Sequence, residues 1–326
     1  MKNAIWVLGS VAVLAALSAL LPHELNPYFI QIVMLCGINV ILAVSLNLIN
    51  GFTGQFSIGH AGFMAIGAYG SAMITMHAGR GWAAALGASG IPPALAEAGP
   101  LLIALLGGGL LAALAGYLVG LPSLRLRGDY LAIVTLGFGE IIRVLILNID
   151  AVGGPRGLPG IPGWANFFWV GAGVLAVILF SRHLATSTHG RALFAIRDDE
   201  VAAEALGVDT TRYKVLAFVI GAFFAGVAGG LFAHYLSYLN PTSFTFLKSI
   251  EVIAMVVLGG MGSVSGSVLA AILLTLLPEV LRPVKDYRMV MYALLVITLM
   301  ITRPQGLMGS RELSLATFRR RRAAAA

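Results

Sequence analysis

The residues most able to bind a metal or act as a nucleophile are few and stand apart from one another. His60 and His234 lie in apolar segments, and neither has a second ligand three or four residues away on the same helix face. Cys36 is the single cysteine, so an intrachain disulfide and a cysteine-based zinc site are both excluded. We therefore predict hydrogen-bonded interior histidines, no bound metal and no catalytic chemistry in this chain.

Charged side chains within apolar segments are the next candidates. Glu140 and Arg143 are three residues apart, which places both on one face of a helix where they can pair. A charge within a bilayer costs about 2.5–3.5 kcal/mol on insertion scales, so the pair is expected to have a structural or functional role. A structural ion pair that ties helices together is the favoured interpretation, and a role in a transport pathway is the alternative. Glu251 begins another apolar block and could pair with Lys248.

Amides, hydroxyls and glycines cluster near residue 50, and glycines cluster again near residue 260. The polar side chains could serve a zwitterion during passage through a membrane, or they could form hydrogen bonds between helices. Close packing of helices explains most glycines, but the clusters at 51–54 and 259–262 favour bends that line a pathway. The polar set comprises Asn39, Asn47, Asn50, Gln55 and Ser57. The pathway candidates are Asn47, Asn50, Gly51, Gly54, Gln55, Ser57, His60, Glu140, Gly259, Gly260 and Gly262.

The elements that would position these residues are membrane-spanning helices. Of the 326 residues 59% are apolar and 11% are charged, whereas an average soluble domain has about 25% charged residues. A helix needs roughly 20 mostly apolar residues to cross the hydrocarbon. Such runs cover residues 4–21, 28–49, 56–76, 101–121, 130–149, 164–181, 213–239, 250–281 and 288–302. The sequence predicts one all-α domain over residues 1–326, a polytopic integral membrane helical bundle of about 8–10 spans.

Two of these runs need a separate interpretation. The 250–281 block is too long for one helix and contains the glycines at 259–262, so we predict two shorter helical pieces joined by a Gly-rich turn. Such a broken or re-entrant pair is tolerated only where protein or water surrounds the irregular backbone. The run at 4–21 follows Lys2 and could be a signal peptide. A retained first span is favoured because further crossings follow at once.

Lys and Arg are distributed unequally between the two sides of the predicted bundle. With a cytoplasmic N-terminus, 14 of the 21 Lys and Arg residues fall in cytoplasmic segments and six fall on the opposite side. Because positively charged loops are retained in the cytoplasm, both termini are predicted to be cytoplasmic. The basic C-terminal tail, residues 303–326, would then face anionic lipid headgroups.

The longest polar segment between two spans covers residues 182–212, on the predicted cytoplasmic side. Its apolar residues fall along one broad side of a predicted helix, with charges on the other side. The apolar side would hold Leu193, Ile196, Ala203 and Leu206. Gly207 is predicted to end the helix and Asp209 to cap the next span. The helix could lie against the membrane surface, or it could be presented to a soluble partner.

Three motifs resemble those of branched-chain amino-acid permeases. NGFTGQFSIGHAGF at 50–63 resembles the segment between the second and third spans of that family. LPSLRLRGDYLAIVTLGFGE at 121–140 resembles the signature of its LivM-type subunits, and RPQGL at 303–307 resembles its ending. The resemblance covers roughly residues 28–309.

A fourth motif, AAEALG at 202–207, resembles the coupling-helix loop of ABC importer permeases. The glutamate of the family pattern aligns with Val201, and Glu200 lies one residue early. The resemblance implies that the 182–212 loop contacts an ATPase. The residues implied are Gly190, Arg191, Arg197, Asp198, Asp199, Glu200, Ala202, Ala203, Glu204, Leu206 and Gly207.

The resemblance also implies partners. In that family the permease pairs with a homologous LivH-type permease, two ATP-binding subunits and a periplasmic or extracytoplasmic substrate-binding protein, in the bacterial inner membrane. ATP and Mg²⁺ would be bound by the partner subunits, with no cofactor in this chain. None of the four lysines follows a glycine, so this sequence lacks the Gly-x-x-x-x-Gly-Lys motif of a phosphate-binding loop.

We therefore expect a permease subunit of an ATP-driven, binding-protein-dependent importer that forms half of a translocation pathway. The expected substrates are the branched-chain amino acids Leu, Ile and Val, with no nucleic-acid partner. The same family with urea, short amides or another amino acid as substrate is one alternative. A transporter driven by an ion gradient is another, with Glu140 as the candidate acidic residue, and an enzyme is not expected.

Overall fold

The computed structural model describes Leu14, Ser18 and residues 26–123, 129–282, 287–303 and 305–309. This part of the chain contains twelve α-helices and one pair of two-residue strands. The first six helices are α1 (Pro27–Asn50), α2 (His60–Ile74), α3 (Arg80–Ala88), α4 (Pro93–Ser123), α5 (Asp129–Asn148) and α6 (Phe167–Thr186). The others are α7 (Thr188–Asp198), α8 (Glu200–Ala205), α9 (Thr210–Leu236), α10 (Phe246–Gly259), α11 (Val264–Val280) and α12 (Arg288–Thr302). The all-α prediction is confirmed.

Among the described residues, five helices are long and apolar enough to cross a membrane: α1, α4, α5, α6 and α9. Each overlaps one of the predicted runs, because an apolar stretch of roughly 20 residues satisfies its backbone hydrogen bonds in lipid by forming a helix. The predicted first span at 4–21 and most of the basic tail lie outside the described residues. The chain is thus a multi-pass helical membrane protein.

The run predicted at 56–76 forms a longer element that begins later. A π-helical turn, Thr75–Gly79, joins α2 to α3, so that residues 60–88 are continuously helical. Helix α2 begins only at His60, since the N–H of Ser57 donates to Asn50 Oδ1 (3.2 Å) and that of Ile58 donates to Thr135 Oγ1 (3.0 Å). These side-chain acceptors satisfy the N–H groups of the non-helical segment that precedes α2.

Small residues place α9 at the centre of the bundle, in contact with α1, α2 and α4. A Cβ atom on Gly67 of α2 would overlap the backbone of Gly226 of α9, and one on Gly229 would overlap the carbonyl of Met64. Where lipid supplies no hydrophobic drive between helices, such close backbone packing is a main source of association.

The predicted break in the 250–281 block is confirmed. Helices α10 and α11 are separated by residues 260–263, in which Gly260 and Gly262 have φ angles of 106° and 90°. Only glycine adopts such angles without strain. Ser263 then caps α11 by accepting a hydrogen bond from the N–H of Gly266 (3.1 Å). The two helices form a hairpin with its turn at one end of the bundle.

The two ends of the bundle are distinguished by the elements next to α9. Helix α8 precedes α9, and strand β2 (Tyr238–Leu239) follows it, pairing antiparallel with β1 (Leu158–Pro159). The 27 residues of α9 separate these elements by about 40 Å. We call the two ends the α7–α8 end and the β1–β2 end. Residues 51–54, 260–263 and 305–309 lie at the α7–α8 end, where they contact α7 or one another.

Candidate functional site

The two predicted glycine clusters, at 51–54 and 259–262, meet at the α7–α8 end of the bundle. The N–H of Gly262 donates to Oδ1 of Asn47 in α1 at 2.8 Å, across 215 positions of sequence. A Cβ atom on Gly51 would overlap both that oxygen and the nitrogen of Gly262. Glycine is therefore required here by the close approach of two backbone segments.

Arg197, near the end of α7, lies against both glycine clusters. Its Nη1 donates to the carbonyl oxygen of Gly51 at 3.3 Å. A Cβ atom on Gly262 would lie 2.8 Å from the same nitrogen, and one on Gly54 (φ +70°) would lie 3.0 Å from Arg197 Cγ. The guanidinium also donates from Nε and Nη2 to Oδ1 of Asp198 at 3.1 and 3.0 Å. Arg197 thus joins α7 to the end of α1 and to the turn between α10 and α11.

The apolar side of α7 holds this arginine in place. Leu193 and Ile196 are 1% and 3% exposed, and Ala203 of α8 is 2% exposed. The ring of Phe194 lies 4.9 Å from that of Phe52, in the chain after α1. The predicted inward positions of Leu193, Ile196 and Ala203 are confirmed.

The predicted inward position of Leu206 is wrong, because its side chain is 85% exposed. The helix is broken at Asp199, whose carboxylate accepts hydrogen bonds from the N–H groups that open α8. It then ends before Leu206, as Gly207 has a φ of 85°. Val201 is also 64% exposed, so two large apolar side chains project from the loop.

A buried ion pair ties α8 to the first turns of α9. Lys214 Nζ lies 2.6 Å from Oε2 of Glu200, and their side chains are 7% and 30% exposed. Asp209 caps α9 by accepting a hydrogen bond from the N–H of Arg212 at 3.0 Å, which confirms the predicted cap. The ion pair therefore links α8 directly to α9.

The RPQGL motif joins the same end of the bundle. The N–H groups of Leu307 and Met308 donate to the carbonyls of Leu258 (2.7 Å) and Gly259 (3.3 Å), which end α10. These bonds satisfy carbonyls that a helix terminus leaves without partners. A Cβ atom on Gly306 would lie against Gly260. Motifs far apart in sequence thus form one structural cluster.

The residues implied as ATPase contacts all lie at the α7–α8 end, and most of them are open to solvent. Gly190 and Ala203 are buried, and Glu200 is partly exposed. The exposed ones are Arg191, Arg197, Asp198, Asp199, Ala202, Glu204, Leu206 and Gly207. Beside them a cavity of about 670 Å³ opens between Tyr117 of α4 and Arg212 of α9.

Several buried polar atoms of α1 and of the segment after it lack hydrogen-bond partners among the described residues. They are Asn47 Nδ2, Asn50 Nδ2, Gln55 Oε1, Ser57 Oγ and His60 Nδ1. Buried polar atoms are nearly always paired, so such a group indicates a place for water or a polar ligand. Hydrogen bonds join Asn50 to Ser57 and Asn47 to Gly262, and Glu140 lines a small cavity with Ala61, next to His60.

Both predicted interior histidines are hydrogen-bonded within the bundle. His60 Nε2 lies 2.9 Å from Ser45 Oγ, and His234 Nε2 lies 3.0 Å from Thr75 Oγ1 in the π-helical turn. Each residue is completely buried. Both residues therefore occupy the hydrogen-bonded interior positions that were predicted for them.

The ion pair predicted between Glu140 and Arg143 is present, with Nε and Oε2 2.7 Å apart. It does not tie two helices together, because both partners belong to α5. The two side chains are 37% and 28% exposed at the periphery of the bundle. Neighbouring Ile141 and Val144 are also exposed, so this face of α5 is open.

Asn39 lies apart from the other predicted polar residues and contacts charged groups that were not predicted as pathway residues. Its Oδ1 accepts from Lys248 Nζ at 3.0 Å, and its Nδ2 donates to Thr275 Oγ1 at 2.9 Å. Lys248 also donates to Glu251 Oε2 at 3.0 Å, which confirms the pairing expected for that acid. The pairing was readable from the i,i+3 spacing, but its place beside α1 was not.

Comparison with known proteins gives concordant matches. Residues 28–301 match the family model described as the branched-chain amino acid transport system permease component. The chain is similar to the high-affinity branched-chain amino acid transport system permease protein LivM of Salmonella typhimurium, 40% identical over 88% of this chain and 71% of the relative. The LivM protein of Escherichia coli is 39% identical over 90% of this chain and 73% of its own length. LivH of Escherichia coli is 33% identical over 43% of this chain and 44% of its own. No solved structure matches.

Proposed function

The chain belongs to the family of permease components of branched-chain amino acid transport systems, and from that premise we propose that it forms half of the translocation pathway of an ATP-driven importer. The proposed substrates are Leu, Ile and Val, after the transport systems for which its relatives are named. The chain carries out no covalent step. ATP and Mg²⁺ are bound by separate subunits, and a substrate-binding protein delivers the amino acid.

The observation that carries this proposal is the position of Arg197. Its guanidinium contacts the carbonyl of Gly51 and lies against Gly262, so that α7 is joined to the ends of α1, α10 and α11. The ion pair between Glu200 and Lys214 joins α8 to α9 in the same way. A push on the α7–α8 loop therefore acts on four helices, α1, α9, α10 and α11, at once.

The moving element is the α7–α8 loop itself. When the ATPase pair closes, its force displaces α7 and α8 as a rigid unit, and the bound spans tilt with them. Glycine turns at 51–54 and 260–263 absorb the change in backbone angle, since glycine has the widest range of φ and ψ. The pathway then opens to alternate sides of the membrane.

The exposed side of the loop is the proposed docking surface for the ATPase. Val201 and Leu206 supply apolar contacts, and Arg191 and Glu204 flank them with charges. An apolar centre with a charged rim is the usual composition of a specific protein interface. In this proposal the α7–α8 end faces the ATPase and is the cytoplasmic end, in keeping with the cytoplasmic termini expected from the distribution of Lys and Arg.

A second, homologous permease of the LivH type packs against α5. The exposed face of α5 carries Glu140 and Arg143, and charges within spans face protein or water rather than lipid. The exposed side chains described on α12 include the large apolar Leu294, Ile297 and Ile301, which suit lipid contact. This contrast assigns the partner to the α5 side.

Purification from membranes of the native host tests the proposal. ATP-binding subunits should accompany the wild-type chain and be lost when residues 190–207 are replaced by a Gly/Ser linker of equal length. The LivH-type permease should remain bound in both cases, since its contact is with α5. Uptake that persists without the ATPases but stops when the ion gradient is dissipated would overturn the proposal in favour of a secondary transporter.

A further inference from the structure

A polar network and a cavity lie together in the middle of the bundle, away from the glycine cluster at the α7–α8 end. We infer that this cavity binds the ammonium and carboxylate groups of an amino acid with an apolar side chain during its passage. The inference rests on the proposed function and adds a substrate site within this chain.

The network lies at one level of the membrane. Asn39 is eleven residues before the end of α1, Lys248 is eleven before the end of α10, and Thr275 is eleven after the start of α11. All three helix ends are at the α7–α8 end, so the network lies about 16 Å above it. Phe232, which lines the same cavity, is four residues from the β1–β2 end of α9, so the network lies inside the membrane-spanning part of the bundle and away from the α7–α8 end.

Placing two charges at this depth in the membrane costs more free energy than the ion pair between them recovers. An i,i+3 ion pair on a helix is weak, whereas each charge in a bilayer core is expensive. The Lys248 and Glu251 side chains are nevertheless retained, and they are still 21% and 37% exposed beside a cavity. Ionisable residues in this setting mark solute pathways in transporters.

The two charges match those of a zwitterion. Lys248 Nζ has three N–H donors and uses two, for Asn39 Oδ1 and Glu251 Oε2. A substrate carboxylate binds the ammonium of Lys248, and a substrate ammonium binds the carboxylate of Glu251. Both protein charges keep a partner when the substrate enters, so binding leaves no uncompensated charge.

The rest of the cavity suits a branched apolar side chain. Its volume is about 190 Å³, smaller than the ~300–1,000 Å³ of pockets for drug-sized ligands. The apolar lining consists of Leu35, Ile38, Met64, Phe232, Leu274 and Pro278, from α1, α2, α9 and α11. The four polar lining residues are joined to one another by hydrogen bonds, so the cavity has one polar region beside its apolar lining.

Uptake by the complete transporter, reconstituted in liposomes with its binding protein, tests the site. Lys248→Met and Glu251→Gln should each lower leucine uptake at least about tenfold, since each removes a hydrogen bond to a charged group. ATP hydrolysis stimulated by the binding protein should persist, because the α7–α8 loop is intact. Uptake by both variants at the wild-type rate would overturn the site alone. A wild-type complex without ATP-dependent uptake would overturn the proposed function, and the site with it.

A charge swap separates substrate binding from a structural role. The double variant Lys248→Glu/Glu251→Lys keeps an ion pair at the same positions, and the amide of Asn39 can rotate to suit it. If the pair is only structural, this variant restores uptake, and the inference is overturned. If the pair binds substrate, leucine uptake should remain low, because an amino acid bound in the reversed orientation would direct its side chain away from the apolar lining.

Protection of an introduced cysteine needs no change to the charged pair and applies even if those variants fail to assemble. Thr275→Cys, in a Cys36→Ala background, places a thiol beside the network. Leucine should slow its labelling by a thiol reagent, whereas isoamylamine and 4-methylpentanoate, which each lack one charge, should not. Equal labelling with and without saturating leucine would overturn the site.

Discussion

Nη1 of Arg197 lies 3.3 Å from the carbonyl oxygen of Gly51, although the two residues are 146 positions apart in the sequence. This hydrogen bond joins the polar loop between α6 and α9 to the end of α1. It is a direct contact between a helix of that loop and the end of a span. Substitution of Arg197 tests this bond.

Arg197→Ala should lower the rate of ATP-dependent uptake about tenfold and leave the rate of ATP hydrolysis unchanged. The reason is that it removes a charged hydrogen bond that transmits movement. Arg197→Lys should have an intermediate effect, since a lysine keeps the charge but lacks the planar fork. Both rates are measured in the same liposomes.

Arg191→Ala is the comparison for that experiment. It removes the same charge from the same helix, but Arg191 makes no contact with Gly51 or Gly262 like that of Arg197. A loss of uptake as large as that of Arg197→Ala would show that loop charge, rather than the contact with Gly51, is responsible.

Gly51→Ala should destabilise the chain by about 1–3 kcal/mol, as added atoms in a packed site force the backbone apart. The new Cβ atom would overlap Asn47 Oδ1 and the nitrogen of Gly262. Thermal unfolding in detergent measures the loss. Gly87→Ala in α3 is the control, since a Cβ atom there meets nothing within 4 Å. Equal melting temperatures for the two variants would contradict the close approach of α1 to the 260–263 turn.

Glu200→Gln should cost more stability than Lys214→Met. The lysine side chain is only 7% exposed, so removal of the carboxylate leaves a buried charge without a partner. We expect a loss of about 2–3 kcal/mol, below the ~3–5 kcal/mol of fully buried pairs, because Glu200 is partly exposed. Lys214→Met leaves a carboxylate that reaches water and should cost about 1 kcal/mol.

Hydrogen exchange of the α8 amides reports on this ion pair directly. Faster exchange in α8 is expected for Glu200→Gln, with the α1 amides unchanged. A larger loss of stability for Lys214→Met than for Glu200→Gln would show that the carboxylate, rather than the ammonium, depends on the pair.

A cysteine in α5 should cross-link to the LivH-type permease, while one in α12 should not. Ile141→Cys lies beside the Glu140–Arg143 pair and replaces a side chain that is 54% exposed, and Leu294→Cys in α12 replaces one that is 58% exposed. The expected difference follows from the charged face of one helix and the apolar face of the other. Yields are compared in native membranes with a bifunctional thiol-to-amine reagent. Cross-links from α12 alone would move the interface to the opposite side of the bundle.

Local features were predictable because they depend on near neighbours in the sequence. The cap at Asp209, the pairing of Glu140 with Arg143 and the break at 260–263 each follow from residues within one or two turns. The exposure of Leu206 was not predictable, because Asp199 caps a separate helix, α8, and the residues after it therefore face other directions than they would in one continuous helix.

The sequence by itself determined that this chain is a helical membrane protein and where most of its spans run, because the thickness of the hydrocarbon sets the length of an apolar helix. It also carried the motifs of the family. Only the tertiary structure decided that Asn39 meets Lys248 across 209 positions and that Arg197 reaches both glycine clusters. Such contacts depend on the rotation and crossing of packed helices, which hydropathy does not specify because lipid and protein interiors are equally apolar.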